Sequence, residues 1–145
     1  MCTLPYYFYM LVINRARLLQ GQVSANAFLR HGLDIIRTKS SKCKPRSEDI
    51  ALRRFRSNFG TSPEICSNVY ARILFQRKAY LPGNIAPKHL LWALHLMKTY
   101  NTENVIAGHC DTDEKTFRFW AWLMIAEMSR LASVEVSHDH ISFQL

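Results

Sequence analysis

A chain of 145 residues, 48% of them hydrophobic, is long enough for one domain with its own core, and five glycines with five prolines exclude a low-complexity chain. None of the four cysteines belongs to a Cys-x-x-Cys pair, which argues against a zinc finger and a disulfide framework and favours a reducing compartment. The net charge of +8 indicates an acidic partner such as nucleic acid.

The basic excess is confined to the first part of the chain. Residues 1–60 hold eleven Lys/Arg and three Asp/Glu, whereas residues 61–145 hold eight of each. Any contact with phosphate is therefore expected to come mainly from the first 60 residues.

The N-terminal part, residues 1–46, is predicted to be poorly defined. Its apolar run, LPYYFYMLVI at residues 4–13, has half the length that a bilayer span requires, and Arg15 and Arg17 follow it rather than precede it. We therefore expect neither a membrane partner nor a secretory signal. Ser24 can cap a weak helix that Gly32 interrupts.

A basic linker closes this part at residues 37–46, RTKSSKCKPR, which contain no acid and are broken by a proline and two serines. Lys42, Lys44 and Arg46 are candidates for DNA phosphate contacts, and the run also fits a nuclear address. The alternative is ordinary solvated loop charge.

Regular helical patterning begins at Ser47. The first helix has Phe55 and Phe59 on its inner face and ends at Gly60. Its arginines lie off that face and are further candidates for phosphate contacts: Arg53, Arg54 and Arg56.

Two more helices follow, one from Thr61 or Ser62 to about Gln76 and one from Pro87 to about Asn101. The second has a wide apolar face, which implies burial on two sides. The residues that form this face are Leu90, Leu91, Trp92, Leu94, Leu96, Met97 and Tyr100. The folded domain is predicted to cover residues 47–134, with a tail at 135–145.

Residues 102–131 predict a helix-turn-helix: a short helix, a break at residues 108–111, and a long helix. Gly108 is expected to take the left-handed conformation, and Asp111 or Thr112 to cap the long helix. One apolar stripe runs along the long helix through Phe117, Trp120, Ala121, Met124, Met128 and Leu131. A helical hairpin that only builds core is the competing interpretation.

The candidate base-reading residues on the long helix are Lys115, Thr116 and Arg118, of which Lys115 and Arg118 share a face opposite that stripe. Asp113 and Glu114 place acid at the same end, which weakens a DNA role. Trp122 falls on the side of Lys115 and is expected to pack against the preceding helices, with a partner-stacking surface as the alternative.

Three segments carry a resemblance to a known family: FRSNFGTSPEICSNVYARI at residues 55–73, APKHLLWALHLMKTYNTENVIAG at 86–108 and DEKTFRFWAWLMIAEMSRL at 113–131. Together they resemble the region ahead of the catalytic domain in Harbinger-like DDE transposases. The resemblance implies a helical, DNA-binding module followed, in that family, by an RNase H-like domain with three metal-binding carboxylates.

The chain departs from the family after residue 134, where only VEVSHDHISFQL remains. We expect a vestigial strand at residues 134–136, and a lone Asp139 cannot support two-metal chemistry. His109 and Cys110 with His138 and His140 match no zinc pattern. The sequence thus predicts no enzyme activity, catalytic residues, cofactor or metal.

The predicted protein is an all-α helical domain, a transposase-derived module that binds duplex DNA through a basic arm and a helix-turn-helix but lacks the DDE nuclease. An accessory transposon protein is a second expected partner. A protein-interaction module and a non-functional transposase fragment remain the alternatives.

Overall fold

The computed structural model describes residues 23–36 and 47–142, which fold into α-helices and a short 3-10 turn at Lys78–Tyr80. The helices are α1 (Ala25–Ile36), α2 (Glu48–Phe59), α3 (Pro63–Arg77), α4 (Pro87–Thr99), α5 (Glu103–His109) and α6 (Glu114–Ser142). The expected all-α class is confirmed. None of the helices in these two ranges is long and apolar enough to cross a membrane.

The ends of α2 follow the capping signals in the sequence. The backbone N–H of Ile50 donates to Oγ of Ser47 at 3.4 Å, which satisfies a donor that the first helical turn leaves without a partner. At the other end Gly60 takes a left-handed conformation, with φ of 75°, and its N–H donates to the Arg56 carbonyl. Both predicted ends of this helix are confirmed.

The main hydrophobic core lies between α1, α2, α3 and α4, with one residue from α6. Its aromatic centre includes Phe28, whose ring meets that of Tyr70 edge to face with centroids 5.7 Å apart. The buried residues of this core are Phe28, Phe55, Phe59, Cys66, Tyr70, Ile73, Leu90, Leu91, Ala93 and Met124.

Helix α1 is an integral part of that core, so the core includes residues that precede the expected domain start at residue 47. Phe28 is fully buried, and Gly32 lies so close to the rings of Phe55 and Phe59 that no side chain fits there. The hydroxyl of Ser67 in α3 donates to the Val23 carbonyl at 2.6 Å. The other parts of the predicted N-terminal segment, residues 1–22 and 37–46, lie outside the described residues.

A second, smaller core joins α4 to the helical pair α5 and α6. It consists of Trp92, Ile106, Ala107, Phe117, Trp120 and Ala121. Since α4 contributes to both cores, the prediction that its wide apolar face is buried on two sides is confirmed. Met97 and Tyr100 were expected on this buried face, but they are 40% and 90% exposed at the C-terminal end of the helix.

Helix α6 continues through Ser142, for 29 residues. The vestigial strand expected at residues 134–136 is therefore wrong, because the backbone there is helical. The predicted tail begins as an extension of this helix, and Asp139 lies in its last turns.

Candidate nucleic-acid interface

The turn between α5 and α6 has the short geometry that a helix-turn-helix requires. The N–H of Thr112 donates to the Ala107 carbonyl at 3.1 Å, and Asp111 adopts the left-handed conformation with φ of 55°. Gly108 was expected in that role, but it lies within α5. Aspartate tolerates the left-handed region better than most side chains, which explains how residue 111 replaces a glycine.

Asp113 caps the second helix, in place of the expected Asp111 or Thr112. Its Oδ1 accepts a hydrogen bond of 2.9 Å from the N–H of Thr116. Hydrogen bonds from Thr116 hold the pKa of the Asp113 carboxyl below its usual value, so the cap is charged at neutral pH. The positive end of α6 is thereby already neutralised by an acid.

The apolar stripe of α6 is inside, as predicted. Phe117, Trp120, Ala121 and Met124 are buried, and the indole of Trp120 stacks on the His89 ring with centroids 3.8 Å apart and planes 6° apart. Met128 and Leu131 are partly buried at the edge of the main core. This packing fixes which side of α6 faces outward.

The candidate base-reading residues Lys115, Thr116 and Arg118 are all exposed in the first turns of α6. Arg118, however, is engaged within the protein: its Nε donates to Glu103 in α5, and its Nη2 donates to Glu114 at 2.5 Å. The hydrogen bond to Glu103 is the main reason that the pKa of Arg118 is raised. Arg118 therefore connects the two helices and is not a free donor for a base edge.

Glu103 also holds the exposed indole of Trp122. Trp122 Nε1 donates to Glu103 Oε1 at 2.7 Å, and this bond is the largest cause of the lowered pKa of the Glu103 carboxyl. Trp122 was expected to pack against the preceding helices, yet it is 53% exposed. The sequence reasoning missed its neighbour on this face, Phe119, which is 55% exposed.

The charge around the α5–α6 pair does not favour a phosphate backbone. Between residues 103 and 122 the chain carries two cations, Lys115 and Arg118. It carries four acids over the same stretch: Glu103, Asp111, Asp113 and Glu114. This excess of negative charge has the same sign as the DNA phosphates and disfavours their approach.

Helix α2 presents a different electrostatic surface. Arg53, Arg54 and Arg56 are exposed, and no described residue forms an ion pair with any of them. Arg53 and Arg56 are three residues apart and share a side. The stem of Lys98 lies beside the C-terminal end of α2, because a Cβ built at Gly60 would lie 3.4 Å from Lys98 Cδ.

The other candidate phosphate contacts, Lys42, Lys44 and Arg46, lie outside the described residues. All three lie within the five residues before Ser47, the N-cap of α2. Residues 37–60 together contain eight Lys/Arg against two Asp/Glu. The concentration of positive charge therefore falls on α2 and the segment leading into it.

Buried ionisable groups elsewhere have structural partners. Burial, with a smaller effect from the Lys88 charge, lowers the pKa of His89 to about 4, and the Ala86 N–H donates to its Nδ1 at 3.0 Å. Glu127 is 3% exposed and joins α3 to α6, since Arg77 Nε lies 3.2 Å and Arg130 Nη1 3.3 Å from its oxygens. The contacts of His89 and Glu127 therefore stabilise the packing of the helices.

A metal centre finds no support among the side chains that the structure describes, which contain no group of three His, Cys, Asp or Glu placed to hold an ion. Burial raises the pKa of both the Cys66 and the Cys110 thiol to about 12, so neither is a thiolate at neutral pH.

The class of protein that these features define is a small all-α domain in which two helices are joined by a short turn and a separate helix carries three exposed arginines. No family model, curated protein or solved structure matches the chain.

Proposed function

We propose that this chain is a duplex DNA-binding module without a nuclease in its 145 residues, and that α2 with the basic segment before it makes most of the phosphate contacts. The observation that carries the proposal is the exposure of three arginines on α2 with no carboxylate partner among the described residues. An exposed, unpaired arginine can donate to phosphate without first breaking an internal ion pair.

The resemblance to Harbinger-like DDE transposases supports the same function from the sequence. In that family the helical pair α5–α6 would be the helix-turn-helix, but residues 103–122 carry four acids and two cations. Lys115 and Thr116 remain candidates for base contacts, whereas Arg118 would serve to position α6 against α5 through Glu103. Affinity is thus expected from α2, with sequence preference as a smaller contribution from α6.

The proposal can be tested by measuring DNA binding as a function of salt. Fluorescence anisotropy with a labelled random-sequence duplex would compare the full chain with the triple variant R53Q/R54Q/R56Q. Each phosphate contact contributes about 0.9 to the slope of log affinity against log salt, so the triple variant should lower that slope by roughly 2 to 3.

A charge-matched control is R30Q/R72Q/K88Q, which removes one exposed cation each from α1, α3 and α4. It should leave the slope close to that of the wild type. Equal losses for both triple variants would mean that binding follows net charge and not the α2 face. Absence of salt-dependent binding by the wild type at low ionic strength would refute the DNA proposal altogether.

A further inference from the structure

The outward side of α6 carries a regular row of residues that the domain does not bury. They lie four and three residues apart in alternation, the spacing that keeps one seam facing a partner helix in a coiled coil. The row consists of Lys115, Phe119, Trp122, Ala126, Ser129 and Ser133, all exposed. We call it the outer row of α6.

Large and small side chains occupy different halves of the outer row. Its N-terminal half holds the two large aromatic residues, Phe119 and Trp122, which are each more than half exposed. Its C-terminal half holds only small residues, Ala126, Ser129 and Ser133. The Ser133 hydroxyl donates to the Ser129 carbonyl at 3.0 Å, so this hydroxyl already has an acceptor if the surface is covered.

We infer that the outer row of α6 is a self-association surface, on which a second copy of this chain packs its own α6 in antiparallel orientation. Antiparallel pairing places Trp122 against the second copy's Ala126, and Phe119 against the second copy's Ser129. Each large side chain then meets a small one, and the same contacts repeat on the other side of the two-fold axis.

Parallel pairing would not give this complementarity. It would set Trp122 against Trp122 and Ser129 against Ser129, which crowds one half of the seam and leaves a gap in the other. The large and small halves of the outer row therefore select both the occupant, an identical helix, and its direction.

The expected contact is modest in size. From residue 115 to residue 133 the outer row is about 27 Å long, at 1.5 Å per residue. A helix pair of that length buries roughly 1,000 Å² in total, which is the lower end for specific interfaces, so a weak and concentration-dependent dimer is expected. The surface does not depend on the phosphate contacts proposed for α2, because those arginines lie on another helix. It shares only Lys115 with the residues proposed for base contacts.

Self-association is measured without DNA, by sedimentation velocity of the full chain over a range of concentrations. The wild type should pass from monomer to dimer, and Ala126→Glu should weaken dimerisation by roughly thirtyfold or more, as at an interface hot spot. Ala79→Glu adds the same charge at an exposed alanine in the 3-10 turn and should have no effect.

The orientation is tested by exchanging the two central residues. Ala126→Trp alone places tryptophan against tryptophan, and Trp122→Ala alone leaves a void, so each should lose the dimer. The double variant W122A/A126W restores one large and one small residue in every antiparallel layer and should recover it, with circular dichroism confirming that each variant is folded.

A chain that stays monomeric at every concentration would overturn the inference, as would a dimer unaffected by Ala126→Glu. Loss of the dimer in the single variants without recovery in W122A/A126W would exclude antiparallel pairing. Because Ala126→Trp does not touch the hydrogen bond between Trp122 and Glu103, its effect separates the interface from the packing of α5 on α6.

Discussion

Replacing Gly32 by alanine has two opposite effects on stability, one through helix propensity and one through core packing. Alanine is favoured over glycine inside a helix by about 0.8–1.0 kcal/mol, so propensity alone predicts a more stable protein. In α1, however, a Cβ at position 32 would lie 2.4 Å from Phe55 Cε2 and 2.8 Å from Phe59 Cε2. Overpacking of a well-filled core costs about 1–3 kcal/mol, and contact with two buried rings favours the upper half of that range.

The expected result is a net loss of about 1–2 kcal/mol in the free energy of unfolding for Gly32→Ala, measured by urea denaturation followed by circular dichroism. Gly108→Ala is the matched control, because Gly108 is also helical but nothing lies within 4 Å of its added Cβ. That variant should gain about 0.5–1 kcal/mol. If both substitutions stabilise the chain, the close approach of α1 to α2 is wrong.

Three further predictions follow from buried side chains. Phe28→Ala should cost about 3–5 kcal/mol in a urea titration, because the ring is fully buried; a cost below about 1 kcal/mol would place α1 outside the core. The pKa of His89 is about 4 in the folded protein, below its ordinary 6.5. Its contribution to the free energy of unfolding is therefore complete above pH 6.5 and is lost as the pH falls from 6.5 to 4. Denaturation at several pH values should show a steeper loss in that window for the wild type than for His89→Gln; equal slopes would contradict neutral burial. The double variant R77A/R130A strands the buried Glu127 carboxylate and should cost about 3–5 kcal/mol by thermal melting, whereas a small effect would mean that Glu127 becomes solvated when its partners are removed.

Much of the fold can be predicted from the sequence, because capping residues and hydrophobic periodicity depend only on residues that are close together in the chain. Ser47 and Gly60 mark the ends of α2, and the buried positions Phe117, Trp120 and Met124 follow from spacing along α6 alone. The wide apolar face of α4 likewise predicted that one helix would serve two cores.

The errors came from contacts between segments that are distant in sequence. Gly32 was read as an interruption of a weak helix, whereas its missing side chain is what allows the rings of Phe55 and Phe59 to approach α1. Arg118 looked like a free cation because Glu103, which lies 15 residues earlier, cannot be identified as its partner from spacing. Phe119 is four residues after Lys115 and three before Trp122, so its place on the exposed face can be predicted from sequence spacing alone.

Helix α5 is held between two residues in the left-handed conformation, Tyr100 with φ of 54° and Asp111 with φ of 55°. This region of backbone space disfavours a bulky side chain, and Tyr100 is 90% exposed, so no packing within the described domain compensates for it. Natural substitutions at these two positions should therefore be restricted to a few residue types. Homologous sequences should favour glycine or asparagine at position 100 and a small polar residue or glycine at position 111, even where the surface around them varies freely.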